Sequence, residues 1–288
     1  MASKSLIIGA FTNYNYNQLK PWVESIDDCG FTGDKAMVVG NASQETIGEL
    51  IKRDFIIIKM HDIKAPIHVA RFLSIYDFLK NNWKNYDHVV TTDVKDVIFQ
   101  TNPITWLELN LKGKKLVAGS EGMKYKDEPW GNENLMQAYG PYVHEQFKEN
   151  EIYNVGTIGG TSEYVKDMMF NILFNAINRP IAICDQAVYN VLIQTQPFKN
   201  VTYFAKQMDG WACQAGTIVD PSKIESFRPH LLEPEPKFQD GIVKTSLGRP
   251  FAIVHQYDRV PEWKEYIKKK YRQEDVHQQE EIITFRTE

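Results

Sequence analysis

Short runs of β-branched and other apolar residues alternate with stretches of helical length through the first half of the chain, and this alternation constrains the fold more than any other feature. Strand-like runs at residues 5–10, 36–39, 55–59 and 88–92 are separated by helix-like segments at 18–29, 43–53 and 67–83. Strands of this kind, linked by helices, form a mainly parallel sheet covered on both faces. Further strands are expected at 115–118, 152–154 and 251–255. The expected fold is a Rossmann-like α/β domain, a mainly parallel sheet flanked by helices, spanning residues 1–260. Residues 261–288 then read as a charged C-terminal helix and tail. Two stretches break the rhythm: residues 121–150, polar and aromatic, read as an irregular excursion over the sheet. Residues 229–240, with Pro229, Pro234 and Pro236, read as an extended crossing segment.

Composition narrows the function classes. A chain of 288 residues, 43% hydrophobic, suits one large α/β domain. A net charge of −4 offers no basic face for a nucleic-acid partner. The three cysteines form no CxxC pair, so neither a zinc knuckle nor a disulfide framework is indicated. The N-terminal apolar run is too short for a secretory leader, and no stretch of roughly 18 apolar residues suggests a membrane span. The expectation is a cytoplasmic protein whose sequons at Asn41 and Asn200 stay unused.

The chemistry concentrates in the segment DHVVTTDVKDVIFQTNP, residues 87–103, where an apolar strand ends in Asp93 and Asp96. Ligands of open parallel sheets bind at the carboxyl ends of strands. Two carboxylates placed there repel each other unless a cation joins them, and oxygen ligands suit Mn²⁺ or Mg²⁺. A helix N-cap followed by a turn aspartate fits the same spacing equally well. Arg71 lies on a helix apolar around most of its circumference, so its buried guanidinium needs an anionic partner. A donor phosphate, Asp93 and a structural carboxylate are the three candidates.

TTDVKDVIFQTNP resembles the metal-binding acidic motif of GT-A-fold nucleotide-sugar glycosyltransferases, with Asp-x-x-Asp in place of the usual Asp-x-Asp. The resemblance implies a divalent cation on Asp96, with Asp93 on the cation, on the donor ribose, or on both. LIIGAFTNYNYN resembles the opening strand and loop of that family, which implies nucleotide contacts at Ala10, Thr12 and Tyr14. IYNVGTIGGT resembles the strand and glycine-rich turn beside the transferred sugar, which implies Asn154, Gly156 and Gly159; the same glycines fit a plain tight turn. FAIVHQYDR resembles the segment whose histidine completes the metal site, here His255, with Asp258 and Arg259 after it as a surface pair.

ICDQAVYNVLI resembles the family's acidic helix start facing the reaction centre. In inverting members that carboxylate is the base; in retaining members an Asp or Gln there positions the acceptor. Asp185 is assigned the base role and Gln186 the acceptor contact, although Asp185 also suits an ordinary N-cap. Trp130 and Asn132, with Glu133, form the candidate acceptor wall, since aromatic faces pack on sugar rings and amides bind hydroxyls. The implied reaction moves a sugar from a nucleotide-sugar, a UDP-sugar first, to a hydroxyl of a glycan acceptor. A sugar nucleotidyltransferase is the nearest rival, but the glycine- and basic-rich loop it needs after the first strand is missing from AFTNYNYNQLK. A non-catalytic sugar-binding module is the other, and it has no need of two carboxylates and a histidine in one place.

Overall fold

A computed structural model describes residues 4–273; residues 1–3 and the end of the charged tail, 274–288, lie outside the described residues. The first half runs β1 (Ser5–Phe11), α1 (Tyr16–Asp28), β2 (Asp34–Val39), α2 (Gln44–Lys52), β3 (Phe55–Lys59), α3 (Ile67–Asn82) and β4 (His88–Thr92). β5 (Val97–Phe99), α4 (Pro103–Asn110), β6 (Leu116–Lys124), α5 (Pro129–Phe147), β7 (Glu151–Thr161), α6 (Ser162–Ala176) and α7 (Asp185–Ile193) follow. The chain continues through β8 (Thr202–Ala205), β9 (Ala212–Gln214), the hairpin β10 (Lys237–Gln239) and β11 (Ile242–Lys244), and β12 (Ile253–His255).

Local chemistry sets the helix boundaries. α1 opens at Asn15, whose side chain accepts from the Gln18 amide while Gln18 reaches back to Asn15, a reciprocal cap. Behind the cap, Leu19, Trp22, Val23 and Ile26 fall on one face and are buried against the sheet. Each such side chain removed from water stabilises the fold by roughly 1.5–3 kcal/mol.

The central sheet has the order β3-β2-β1-β4-β7-β6-β8, and β7 alone runs antiparallel to its neighbours. The expected mainly parallel α/β sheet is therefore present. The chain moves outward from β1 to β3 and then returns to place β4 on the other side of β1. Loops leaving adjacent strands on opposite sides of such a reversal diverge and leave a crevice. One apolar layer, including Leu6, Phe72, Ile75, Val89 and Val165, packs α3 and α6 on one face. Another, including Ile7, Trp22, Leu50 and Val90, packs α1 and α2 on the opposite face.

A second, three-stranded sheet has the order β5-β12-β9. The helix Pro261–Lys270 rests on its apolar side through Trp263 and Ile267. Among the described residues no helix is long and apolar enough to cross a membrane.

The stretch 121–150 differs from the expected irregular excursion. β6 continues to Lys124, and α5 occupies most of the remainder, broken only at Gly140 (φ 78°) before Pro141. Its start carries ordinary helix signals, Pro129 in the first turn and the Glu128 carboxylate accepting from the Gly131 amide. Polar and aromatic composition hides them because only one side of α5, with Asn134, Leu135, Ala138 and Phe147, is buried.

Candidate functional site

A cavity of about 580 Å³ lies at the carboxyl ends of β1 and β4. Ala10, Thr12 and Tyr14 line it from the loop after β1, Arg71 from α3, Asp93 and Asp96 from the loop after β4. Asn154 enters from β7, Asp185 and Gln186 from the start of α7, and His255 from the end of β12. Close approach of these segments depends on Gly9, where an added Cβ would fall 2.3 Å from Val94 Cγ1. The indole of Trp22 donates to Thr92 Oγ1 at 2.8 Å and so ties the end of β4 to α1.

Asp93, Asp96 and His255 converge: one ligand atom from each lies within 4.8 Å of the others. His255 Nε2 is 3.5 Å from Asp93 Oδ2 and 3.7 Å from Asp96 Oδ1. The register explains this, since β12 pairs with β5 so that His255 lies opposite Val97, next to Asp96. Neither aspartate caps a helix; both lie in the irregular link between β4 and β5. Asp93 is tied further by its amide, which donates to the Gly156 carbonyl at 3.0 Å.

Arg71 stands between two carboxylates. It pairs with Asp93 Oδ1 through Nη1, and Nη2 is 3.1 Å from Asp185 Oδ2. Of its candidate partners, two carboxylates are thus in place. Burial works against charge on Asp93, but Arg71 and His255 outweigh it and hold the carboxyl below the usual range. Burial pushes the Asp96 carboxyl up; His255 opposes this, and the neighbouring Asp93 charge adds to it. Burial also opposes charge on His255, but Asp96 and Asp93 raise its pKa. The cluster thus holds an aspartate without a guanidinium, next to another anion. Two carboxylates and an imidazole nitrogen are an acceptable donor set for Mn²⁺ or Mg²⁺, which would supply the missing positive charge.

The remaining expected residues divide. Gly156 lies directly beneath the cluster: an added Cβ would meet His255 Cε1 at 2.8 Å and Asp93 Oδ2 at 2.9 Å. Gly159 is not on the cavity wall; its Cα faces the Trp211 indole, 2.8 Å from an added Cβ, and its smallness serves packing. Trp130 is on the wall and 54% exposed. Asn132 is not, because its Oδ1 is engaged by His144 Nε2 at 2.7 Å on the same helix. Asp185 is the first residue of α7, and the cap position belongs to Cys184. Asp258 and Arg259, expected as a surface pair, are 3.8 Å apart and line the cavity.

Sequence reasoning missed Glu121 and Gln214. Glu121, on β6, is 5% exposed and lines the cavity without a cationic partner within salt-bridge distance among the described residues. It accepts from Asn154 Nδ2 at 2.7 Å, Gln186 Nε2 at 3.0 Å and Thr217 Oγ1 at 3.1 Å. Burial, and then the Glu128 charge, raise its pKa. Gln214, fully buried on β9, makes a 2.8 Å hydrogen bond with His255 Nδ1. Neither stands in a motif. A single Glu inside an apolar strand was the one available signal, and it sat within the stretch read as irregular.

No family model matches the chain, and no curated protein matches it in sequence. Solved structures do match in fold. The galactosyltransferase LgtC, solved with donor and acceptor sugar analogs, aligns over 92% of this chain and 95% of its own, with 12% identity and a TM-score of 0.54. The bifunctional glycosyltransferase WbbM aligns over 93% of this chain with 12% identity and a TM-score of 0.54, and this chain spans about half of its length, 52%. The Streptococcus pneumoniae TIGR4 glycosyltransferase GlyE aligns over 92% of this chain and 60% of its own, with 16% identity and a TM-score of 0.53. At these identities the likeness concerns the fold, which is the α/β architecture of these glycosyltransferases.

Proposed function

We propose that this chain is a cation-dependent glycosyltransferase that moves a sugar from a nucleotide-sugar, a UDP-sugar first, to a hydroxyl of a carbohydrate acceptor. One observation carries the reading: His255, far away in sequence, converges with Asp93 and Asp96 where the strand order reverses. Asp93, Asp96 and His255 would hold Mn²⁺ or Mg²⁺, and such an ion neutralises a departing diphosphate. Ala10, Thr12 and Tyr14, beside the cluster, are assigned to the nucleoside. Asn154, on β7, is assigned to the transferred sugar, and Trp130 and Gln186 to the acceptor; Gly156, like Gly159, is not on the cavity wall, and its lack of a Cβ leaves room for Asp93 and His255 to meet.

Asp185 handles the acceptor hydroxyl in either stereochemical course. As a base in an inverting course it would take up the hydroxyl proton. Burial raises its pKa, which favours that role, and Arg71 opposes it. Proton uptake would also weaken the pair with Arg71, which would keep Asp93 as its remaining carboxylate partner. The ion pair at 3.1 Å therefore favours a positioning role for Asp185 and a retaining course.

The test is a panel of nucleotide-sugars scored for slow hydrolysis with Mn²⁺ and with EDTA, beside a nucleoside triphosphate plus sugar phosphate scored for pyrophosphate. Cation-dependent release of a nucleoside diphosphate from one sugar nucleotide supports the reading. Pyrophosphate release with no donor hydrolysis overturns it in favour of a nucleotidyltransferase.

A further inference from the structure

Beneath the Asp93–Asp96–His255 cluster a line of buried polar groups runs away from the cavity. His255 is 3% exposed, and Gln214 and Thr157 are fully buried. Gln214 Oε1 is 2.8 Å from His255 Nδ1, and Gln214 Nε2 is 2.9 Å from Thr157 Oγ1. All three positions are fixed by backbone pairing: β12 and β9 run parallel with His255 opposite Gln214, and Thr157 on β7 is opposite Thr92 at the end of β4.

A side-chain amide has one accepting end and one donating end, and the partner of one end decides which faces the other. With Nε2 donating to Thr157 Oγ1, the carboxamide oxygen is presented to the imidazole; the hydroxyl, which can also donate, anchors the amide at this depth, and the Nδ1–H of the ring selects the oxygen. An imidazole that donates from Nδ1 keeps its lone pair on Nε2, the nitrogen that faces both aspartates. Turned over, the amide would set a donor against His255 Nδ1, and the lone pair would then lie on the wrong nitrogen.

We infer that Gln214, anchored by Thr157, is a positioning residue that fixes the Nε2 lone pair of His255 toward Asp93 and Asp96 and so sets the affinity of that cluster for a divalent cation. The inference rests on the cation site proposed above. Hydrogen-bond partners of metal-ligating histidines change metal affinity by about 10- to 100-fold when removed. A neutral amide does this without adding a third negative charge to the two carboxylates, which leaves the site receptive to an anionic diphosphate.

The experiment has two readouts on the intact chain. Mn²⁺ affinity is measured by calorimetry for the parent, Gln214→Met, Gln214→Glu and Thr157→Val. Gln214→Met keeps the volume and loses both hydrogen bonds, and it is expected to bind Mn²⁺ about 10- to 100-fold more weakly. Gln214→Glu offers an oxygen to both partners and is expected to stay nearer the parent than Gln214→Met does. Thr157→Val leaves Gln214 in place but removes its anchor, and the expected loss lies between the two. The second readout is the ¹⁵N chemical shifts of His255 without metal, at a pH that leaves the ring neutral. The parent is expected to carry its proton on Nδ1, and Gln214→Met to show a mixture of tautomers. Equal Mn²⁺ affinity in the parent, Gln214→Met and Thr157→Val, with an unchanged tautomer, overturns the role of Gln214. Failure of the parent to bind Mn²⁺ overturns the cation site instead, while the tautomer still reports on Gln214. Should Gln214→Met not fold, Thr157→Val carries both readouts.

Discussion

The two poles of the cavity hold their carboxylates in opposite ways. At one, Asp93 has a guanidinium beside it and an imidazole within 3.5 Å, and Asp96 shares that imidazole at 3.7 Å. At the other, Glu121 is held by neutral donors, two amides and a hydroxyl. The first pole is held by charge; the second is satisfied through hydrogen bonds alone. On the function proposed above, the chemistry belongs to the first pole, while the second holds Asn154 and Gln186 in place.

Changes at the charged pole are expected to have the largest effect. Asp96→Asn offers a poor ligand to a hard cation and should abolish turnover, with an unchanged circular dichroism spectrum. Near-normal turnover in this variant would erase the distinction between the poles. Asp185→Ala should reduce transfer by orders of magnitude while leaving donor affinity close to the parent, measured by calorimetry beside a transfer assay. The anomeric configuration of the product, read from NMR coupling constants, sharpens this: retention agrees with the ion pair to Arg71, and inversion returns the base role to Asp185.

Arg71→Met probes the link between charge and stability. It strips Asp93 and the buried Asp185 of a shared partner, and breaking a buried pair this way costs about 3–5 kcal/mol. Denaturant unfolding measures this, and a loss below about 1 kcal/mol would mean the pair behaves like an exposed one. Glu121→Gln is the smallest change expected. A carboxamide still accepts from Asn154 and Gln186 at Oε1 and sets its NH2 against the Thr217 hydroxyl, which can accept, so charged hydrogen bonds become neutral ones at a cost of about 1 kcal/mol. The loss should appear in kcat/KM for transfer, with Mn²⁺ affinity unmoved; an equal loss of Mn²⁺ affinity would merge the two poles into one unit.

The same contrast explains what was legible in the sequence. β3 and β4 carry the bounds that apolar runs gave them, because a strand buried in a parallel sheet is continuous in sequence. Asp93, Asp96 and His255 stand out in the sequence because each follows an apolar strand in a segment that resembles a known motif, and the structure brings their ligand atoms within 4.8 Å of one another. Glu121 and Gln214 depend on partners far away in the chain, the first on Asn154, Gln186 and Thr217, the second on His255 and Thr157. Their residue types carry no signal until the sheets assemble. Asn132 shows the converse: polar and beside Trp130, it suited a sugar contact, yet His144 twelve residues on takes its oxygen.

The proposed function requires that the Asp93–Asp96–His255 pole receive a nucleoside diphosphate through a divalent cation. Calorimetric titration of UDP into the protein, with Mn²⁺ and again in excess EDTA, tests it most directly. Binding is expected to be tight with Mn²⁺ and much weaker after chelation, with the difference lost in Asp96→Asn. UDP affinity unchanged by EDTA would contradict it.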